Sequence, residues 1–255
     1  MVSALIGAGF MGDVHSRALK GAGIEIAGIV SSTPEKSQQA ASSLGINRAY
    51  RSVEELLADS DVTVVHVLTP NESHAKYVSM ALDAGKHVVC EKPLTVDAAE
   101  AIALTKRAQE LNLIGAIPFA YRFHAMTREA RSKVLAGELG KLFSVRGQYL
   151  QDWLLNPEDT NWRVDASLGG PSRAFADIGI HLCDLVEFIS GKRIERLVEA
   201  GVTEEQLLRL MSPIGLDIGA RTPEETAISI CGEIIARRTG RGAPSLRDGD
   251  GPIHK

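Results

Sequence analysis

The stretch "VSALIGAGFMGDVHSRALK", Val2 to Lys20, decides the fold. A short apolar run, Val2 to Ile6, leads into glycines at Gly7, Gly9 and Gly12 and then into a helical pattern through Lys20. A G-x-G-x-x-G spacing that follows a strand and opens a helix is the context a dinucleotide fingerprint requires. Gly7 then makes the tight turn, Gly9 lets the backbone approach a pyrophosphate, and Gly12 lets helix and strand pack closely. The free N–H groups and positive dipole end of the helix hold the phosphates. A glycine-rich turn without a ligand is the alternative that the spacing leaves open.

The alternation continues outward from this unit. Ile24–Val30 reads as a second strand, and a helix starts at Pro34, where proline is favoured at the first helical position. "DVTVVHVL" is a buried-strand run, and "NESHAKYVSMALDAG" is helical and ends at Gly85. "HVVC" and "LIGAIP" are further strands, on either side of a helix in "TVDAAEAIALTKRAQELN" that Thr95 or Asp97 could cap. Strand and helix in strict turn predict an α/β fold with a doubly wound parallel sheet covered on both faces.

An acidic residue at the end of the second strand would accept hydrogen bonds from an adenosine ribose. That place reads "VSSTPEKS". Ser31 and Ser32 are uncharged and Lys36 follows one helical turn on, a combination that suits a 2′-phosphate and favours NADP over NAD. Lys36 as a plain solvated helix residue is the competing reading.

Two further features bear on chemistry. "CEKPLT" places Glu91, Lys92 and Pro93 after a strand, at the carboxyl edge where open α/β sheets bind ligands. Much later, "ADIGIHLCDLVEFI" sets Asp177, His181 and Asp184 at i, i+4 and i+7 on one helix face, with Ile178, Leu182, Leu185 and Ile189 opposite. These three polar residues suit a hydrogen-bonded stripe better than a metal site. Trp153, Trp162 and Arg163 in "DWLLNPEDTNWR" either line a sugar-sized pocket or simply pack.

The pieces "GAGFMG", "TPNESH", "EKPLT" and "DIGIHLCDL", in that order, resemble the Gfo/Idh/MocA oxidoreductases from Met1 to about Gly191. The resemblance implies a Rossmann-type domain over residues 1–118 and an α+β substrate domain, truncated here, over 119–192. It implies Lys92, Asp177 and His181 as catalytic positions and a cis bond before Pro93. It implies cofactor contacts from Gly7, Gly9, Phe10, Met11 and Gly12, from Ser31, Ser32 and Lys36, and from Thr69, Pro70, Asn71, His74, Glu91 and Lys92. Trp162 and Arg163 are the implied substrate contacts. His181, with an ordinary pKa near ~6.5, suits a general acid/base, and Lys92 suits a cationic donor to the alcohol oxygen.

Composition narrows the alternatives. The 255 residues carry 28 Lys+Arg against 32 Asp+Glu, a net charge of -4, so no basic footprint for nucleic acid is expected. No apolar run reaches the length of a membrane span and no secretory signal is visible. Three widely spaced cysteines, Cys90, Cys183 and Cys231, suit reduced thiols, and a cytoplasmic protein without a metal site is the expectation.

The last quarter reads differently. "EAGVTEEQLLRLMSPIGLDIGARTPEETAISICGEIIA" carries a capping box at Thr203–Gln206 and a second helix start at Thr222–Glu225. From about Arg193 onward, "DGPIHK" included, it resembles the carboxyl end of the XdhC/CoxI family of molybdenum-hydroxylase maturation factors. Residues 193–238 are read as a helical segment and 239–255 as a polar tail without fixed structure. "KLFSVRGQYL" reads as a strand whose sheet neighbours are missing, leaving an edge through which copies of the chain could pair. The expected activity is NAD(P)-dependent hydride transfer to or from a sugar, polyol or related hydroxy compound. A non-catalytic nucleotide-binding protein and a molybdenum-enzyme maturation factor are the alternatives.

Overall fold

Strand β1 (Val2–Ile6) is the centre from which the sheet grows. In the computed structural model, residues 1–145, 147–152, 154, 158–170 and 175–194 are described. Ala4 and Ile6 face one apolar cluster and Leu5 faces the other, so β1 is buried on both sides. That two-sided burial is the mark of a parallel sheet covered by helices. β2 (Glu25–Val30), β3 (Val64–Val67), β4 (His87–Cys90) and β5 (Gly115–Ala116) complete it, all pairs parallel, in the order β2-β1-β3-β4-β5. The strand order reverses direction between β1 and β3, and the crevice at their carboxyl ends is where such sheets take ligands.

The helices start where their side chains can replace lost backbone partners. α1 (Phe10–Gly21) follows the glycine turn with Gly9 at the N-cap and no capping side chain. α2 (Pro34–Leu44) is capped by Thr33, whose hydroxyl accepts from the Lys36 N–H, and Pro34 opens it. α5 (Ala98–Glu110) is capped by Asp97, which accepts from Ala99 and Glu100; the Thr95 hydroxyl instead bonds the Asp97 carbonyl. α4 spans His74–Asp83, and Gly85 follows its end at φ 71°. A 3₁₀ turn over Asn71–Ser73 precedes it where a continuous helix was expected, because the Ser73 hydroxyl bonds the Pro70 carbonyl. The short helix α3 (Val53–Ala58) went unread in the sequence, although Ser52 caps it through the Glu55 N–H.

Two expectations are corrected. "LIGAIP" contributes only Gly115–Ala116, because as the last strand it has β4 alone to pair with. "KLFSVRGQYL" holds no strand among its described residues, and Phe143 is 87 % exposed. An extended segment becomes a strand only with a ladder partner, and none runs beside it among the described residues. Among the described residues no strand edge is formed there.

Among the described residues after β5 the α-helices are α6 (Ala125–Leu135), the single turn α7 (Ala166–Gly169) and α8 (Ile180–Ser190). α6 and α8 pack together beside the Arg122–Asp184 ion pair, with Arg131 donating to the Phe188 carbonyl. Asp177 lies in a π-helical turn, Phe175–Gly179, that leads into α8. The buried residues here are Ala176, His181 and Asp184, while Ile178, Leu182, Leu185 and Ile189 remain half-buried, so it is mainly the polar face that is covered. Met1–Ile194 form one compact unit. The tail helices and the polar end expected beyond it, and Trp153, lie outside the described residues. No helix among the described residues is long and apolar enough to cross a membrane.

Candidate functional site

A cavity of about 550 Å³ opens at the carboxyl ends of β1 and β3. Its floor is the glycine turn. Gly7 sits at φ 115°, and a Cβ there would come within 2.6 Å of the Leu68 carbonyl oxygen. A Cβ on Gly12 would meet the Gly7 carbonyl at 2.8 Å, so helix and turn touch directly. Gly9 differs: a Cβ there would meet nothing within 4 Å. The turn is thus built from two glycines required by packing and one facing open space at an uncapped helix N-terminus. That combination fits a phosphate-bearing ligand.

Around this floor, Gly7, Gly9, Phe10 and Met11 line the cavity, as do Ser31 and Ser32 at the end of β2. Thr69, Pro70 and Asn71 line the far side, and Glu91 and Lys92 close it. Gly12, Lys36 and His74 are not on the wall. Lys36 is exposed on α2. His74 is fully buried, its Nδ1 2.7 Å from the Pro93 carbonyl and its Nε2 2.8 Å from the Thr69 carbonyl. Its ring sits between the Thr69 loop and the Lys92–Pro93 loop, donating to one of the two carbonyls when neutral, and burial pushes its pKa down.

Lys92 precedes a cis peptide bond to Pro93. Its ammonium donates to the Asp177 carbonyl at 2.6 Å and to Asp177 Oδ1 at 3.2 Å. Arg163 Nε donates to the same Oδ1 at 3.0 Å, and its guanidinium lies 4.5 Å from the Trp162 ring. Trp162, Arg163 and Asp177 all line the cavity. The segment carrying them is tied down by Asn71, whose side-chain amide donates to the Gly169 carbonyl at 3.1 Å. Two cations and one carboxylate therefore converge from parts of the chain far apart in sequence.

His181 stands off the cavity wall. Its ring packs edge-on to Tyr121 at 4.8 Å and to Phe119 at 5.9 Å, with Tyr149 tilted at 6.1 Å. Its Nδ1 is buried with no hydrogen-bond partner among the described residues. Burial, and then the Lys92 charge, lower its pKa, against smaller opposing pulls from Glu91, Asp177 and Asp184. An imidazole so placed is neutral near pH 7 and able to take up a proton. Asp184, the third residue of the polar face, is held by the Arg122 guanidinium through Nε at 2.9 and 2.8 Å.

Several neighbours were not singled out from the sequence. Tyr121 and Tyr149 join their phenol groups by a hydrogen bond beside His181. Burial and Tyr121 push the Tyr149 phenol up to about 12. His15 bridges His66 and Glu91. His66 had one visible signal: a polar residue inside the otherwise apolar strand run "VVHV".

Comparison with known proteins gives the family and the fold. Residues 2–118 match the oxidoreductase family with the NAD-binding Rossmann fold, and residues 127–217 match the GFO/IDH/MocA C-terminal domain. The second match runs past Gly191, where the sequence reading ended the resemblance. Levoglucosan dehydrogenase of Pseudarthrobacter phenanthrenivorans is 32% identical over 198 residues, 74% of this chain and 50% of that protein. D-xylose 1-dehydrogenase (NADP(+)) 2 of Haloferax volcanii is 35% identical over 167 residues, 66% of this chain and 50% of that one. An oxidoreductase domain protein from Kribbella flavida superposes with a TM-score of 0.70 at 37% identity, covering 75% of this chain and 54% of that one. The chain thus spans about half the length of the curated relatives it matches.

Proposed function

From a chain that belongs to the Gfo/Idh/MocA oxidoreductases, we propose NAD(P)-dependent hydride transfer between a nicotinamide and a hydroxyl-bearing carbon of a sugar or polyol. The observation that carries this reading is the meeting of Lys92 and Asp177 at the mouth of a cavity floored by the glycine turn. The names of the relatives support the substrate class: one structure is levoglucosan dehydrogenase in complex with NADH and levoglucosan. Residues 1–118 are the nucleotide-binding part and 119–192 the substrate part. Residues 193–217, read from the sequence as XdhC/CoxI-like, fall within the match to the GFO/IDH/MocA C-terminal domain, and no comparison supports the XdhC/CoxI reading.

The nicotinamide, when bound, supplies or accepts the hydride. The protein's own groups handle the proton and the charge. Lys92 exchanges one of its Asp177 contacts for the substrate oxygen and stabilises negative charge developing there. His181, kept neutral by burial, takes the hydroxyl proton on oxidation and returns it on reduction. Asp177 holds Lys92 and Arg163 in place through a shared oxygen. Trp162 and Arg163 offer a ring face and a donor to a polyhydroxy substrate.

Ser31 and Ser32 on the wall, with no carboxylate in the ribose position, favour NADP over NAD. The relatives include one named for NADP(+) and structures holding NADH, so both cofactors belong in the titration. The test pairs Lys92→Met and His181→Ala with cofactor fluorescence and a panel of sugars and polyols. Binding is expected to survive while turnover falls by about a hundredfold or more. Turnover equal to the unaltered protein in both variants removes these residues from the scheme.

A further inference from the structure

Beneath the cavity, His66 of β3, His15 of α1 and Glu91 at the end of β4 form one continuous line. His66 Nδ1 lies 3.0 Å from His15 Nδ1, and His15 Nε2 lies 3.0 Å from Glu91 Oε1. The side chains of His15 and Glu91 are only 11% and 10% exposed, and His66 is 7% exposed. The other carboxylate oxygen, Oε2, accepts the Lys92 N–H at 3.3 Å. Glu91 is also on the cavity wall.

Hydrogen-bond chemistry restricts how protons fill this line. A neutral imidazole has one donor nitrogen and one acceptor nitrogen, and a carboxylate only accepts. With His15 neutral, it donates from Nε2 to Glu91, which leaves its Nδ1 as an acceptor and requires Nδ1–H on His66. His66 is pushed down to about 4 by burial and by its neighbour His15, so it enters this line as a neutral ring near pH 8.

We propose that His66 and His15 are positioning residues, a buried one-way chain of donors that orients the Glu91 carboxylate and through it the loop bearing Lys92. The chain takes its direction from the carboxylate: each imidazole is locked into one tautomer by the group on its Glu91 side. A strand, a helix and a loop distant in sequence are thereby set against one another at the wall of the cavity. The role given to Lys92 rests on the function proposed above; the tautomer chain does not.

The experiment is long-range ¹H–¹⁵N correlation of the histidine rings at pH 8, with resonances assigned by single His→Asn replacements. The unaltered protein is expected to show His66 as the Nδ1–H tautomer and His15 as the Nε2–H tautomer. In Glu91→Leu, which removes the acceptor, His66 is expected to lose its single Nδ1–H state although it does not touch Glu91. Glu91→Gln keeps a carbonyl oxygen and is expected to restore that state. An Nε2–H tautomer or an imidazolium at either histidine of the unaltered protein overturns the proposal, whether or not the variants fold. So does a His66 tautomer indifferent to Glu91→Leu. Cofactor titration of the same samples separates the two readings. A chain that binds no NAD(P) sinks the proposed function and leaves the tautomer result intact.

Discussion

Lys92 and Asp177, 85 positions apart, are joined twice by one ammonium group, at 2.6 Å to the backbone carbonyl and 3.2 Å to the carboxylate. The same carboxylate oxygen also receives Arg163 Nε, so Asp177 separates two cations. Removing it takes away the carboxylate oxygen that Lys92 and Arg163 share. Asp177→Ala is expected to cost about 2–3 kcal/mol in urea unfolding at an unchanged m-value, while Asp177→Asn, which keeps an acceptor oxygen, costs less. Equal losses in the two variants would show that the negative charge, absent from both, and not the acceptor oxygen is what Asp177 supplies.

The glycine turn makes a sharper contrast. Gly7 is required by the fold, since its φ of 115° and the Leu68 carbonyl both exclude a side chain. Gly7→Ala is expected to lose about 2 kcal/mol of stability before any ligand is considered. Gly9 faces open space, so Gly9→Ala is expected to leave the melting temperature of the free protein unchanged. The same change is expected to weaken NADP binding by about tenfold or more, because the added methyl occupies the space a pyrophosphate needs. Thermal melts with and without cofactor check both halves.

Which parts of this were legible in sequence follows from how local their causes are. The run Val2–Ile6, the three glycines and the Thr33–Pro34 and Asp97 helix starts depend on periodicity and on neighbours within a few residues. They could be read directly. Asp177 and His181 could be placed on one face, but which face was covered depended on packing supplied by distant residues such as Arg122 and Tyr121. His15 gave no sign of its role, because its partners His66 and Glu91 reach it only through the order of strands in the sheet. "KLFSVRGQYL" has the alternation of a strand, and alternation cannot supply the missing ladder.

Asp184 is expected to be a support, with Arg122 as its condition. The carboxylate is buried and receives the guanidinium from two directions, while the Arg122 guanidinium also lies 5.3 Å from the Phe188 ring. Arg122→Met is expected to destabilise by about 3 kcal/mol, since an unpaired buried carboxylate is left behind. The pair of changes Arg122→Met with Asp184→Leu is expected to recover most of that loss, which a double-mutant cycle in urea would measure.

Acid sensitivity follows from three histidines whose charged forms burial disfavours: His66, His74 and His181. For His66 the value falls to about 4, against ~6.5 for an exposed imidazole in the unfolded chain. Between those two values the unfolded chain binds more protons than the folded one. Stability therefore rises with pH across that window and is lost as pH falls through it. His66 alone accounts for about 3 kcal/mol of this over the full window, and the other two add in the same direction. His66→Val is expected to flatten the dependence, so that its urea midpoint changes less than that of the unaltered protein between pH 7.5 and pH 4.5. An unchanged slope would mean that His66 keeps its ordinary protonation inside the sheet, and that the strand is not as dry around it as its neighbours Val65 and Val67 require.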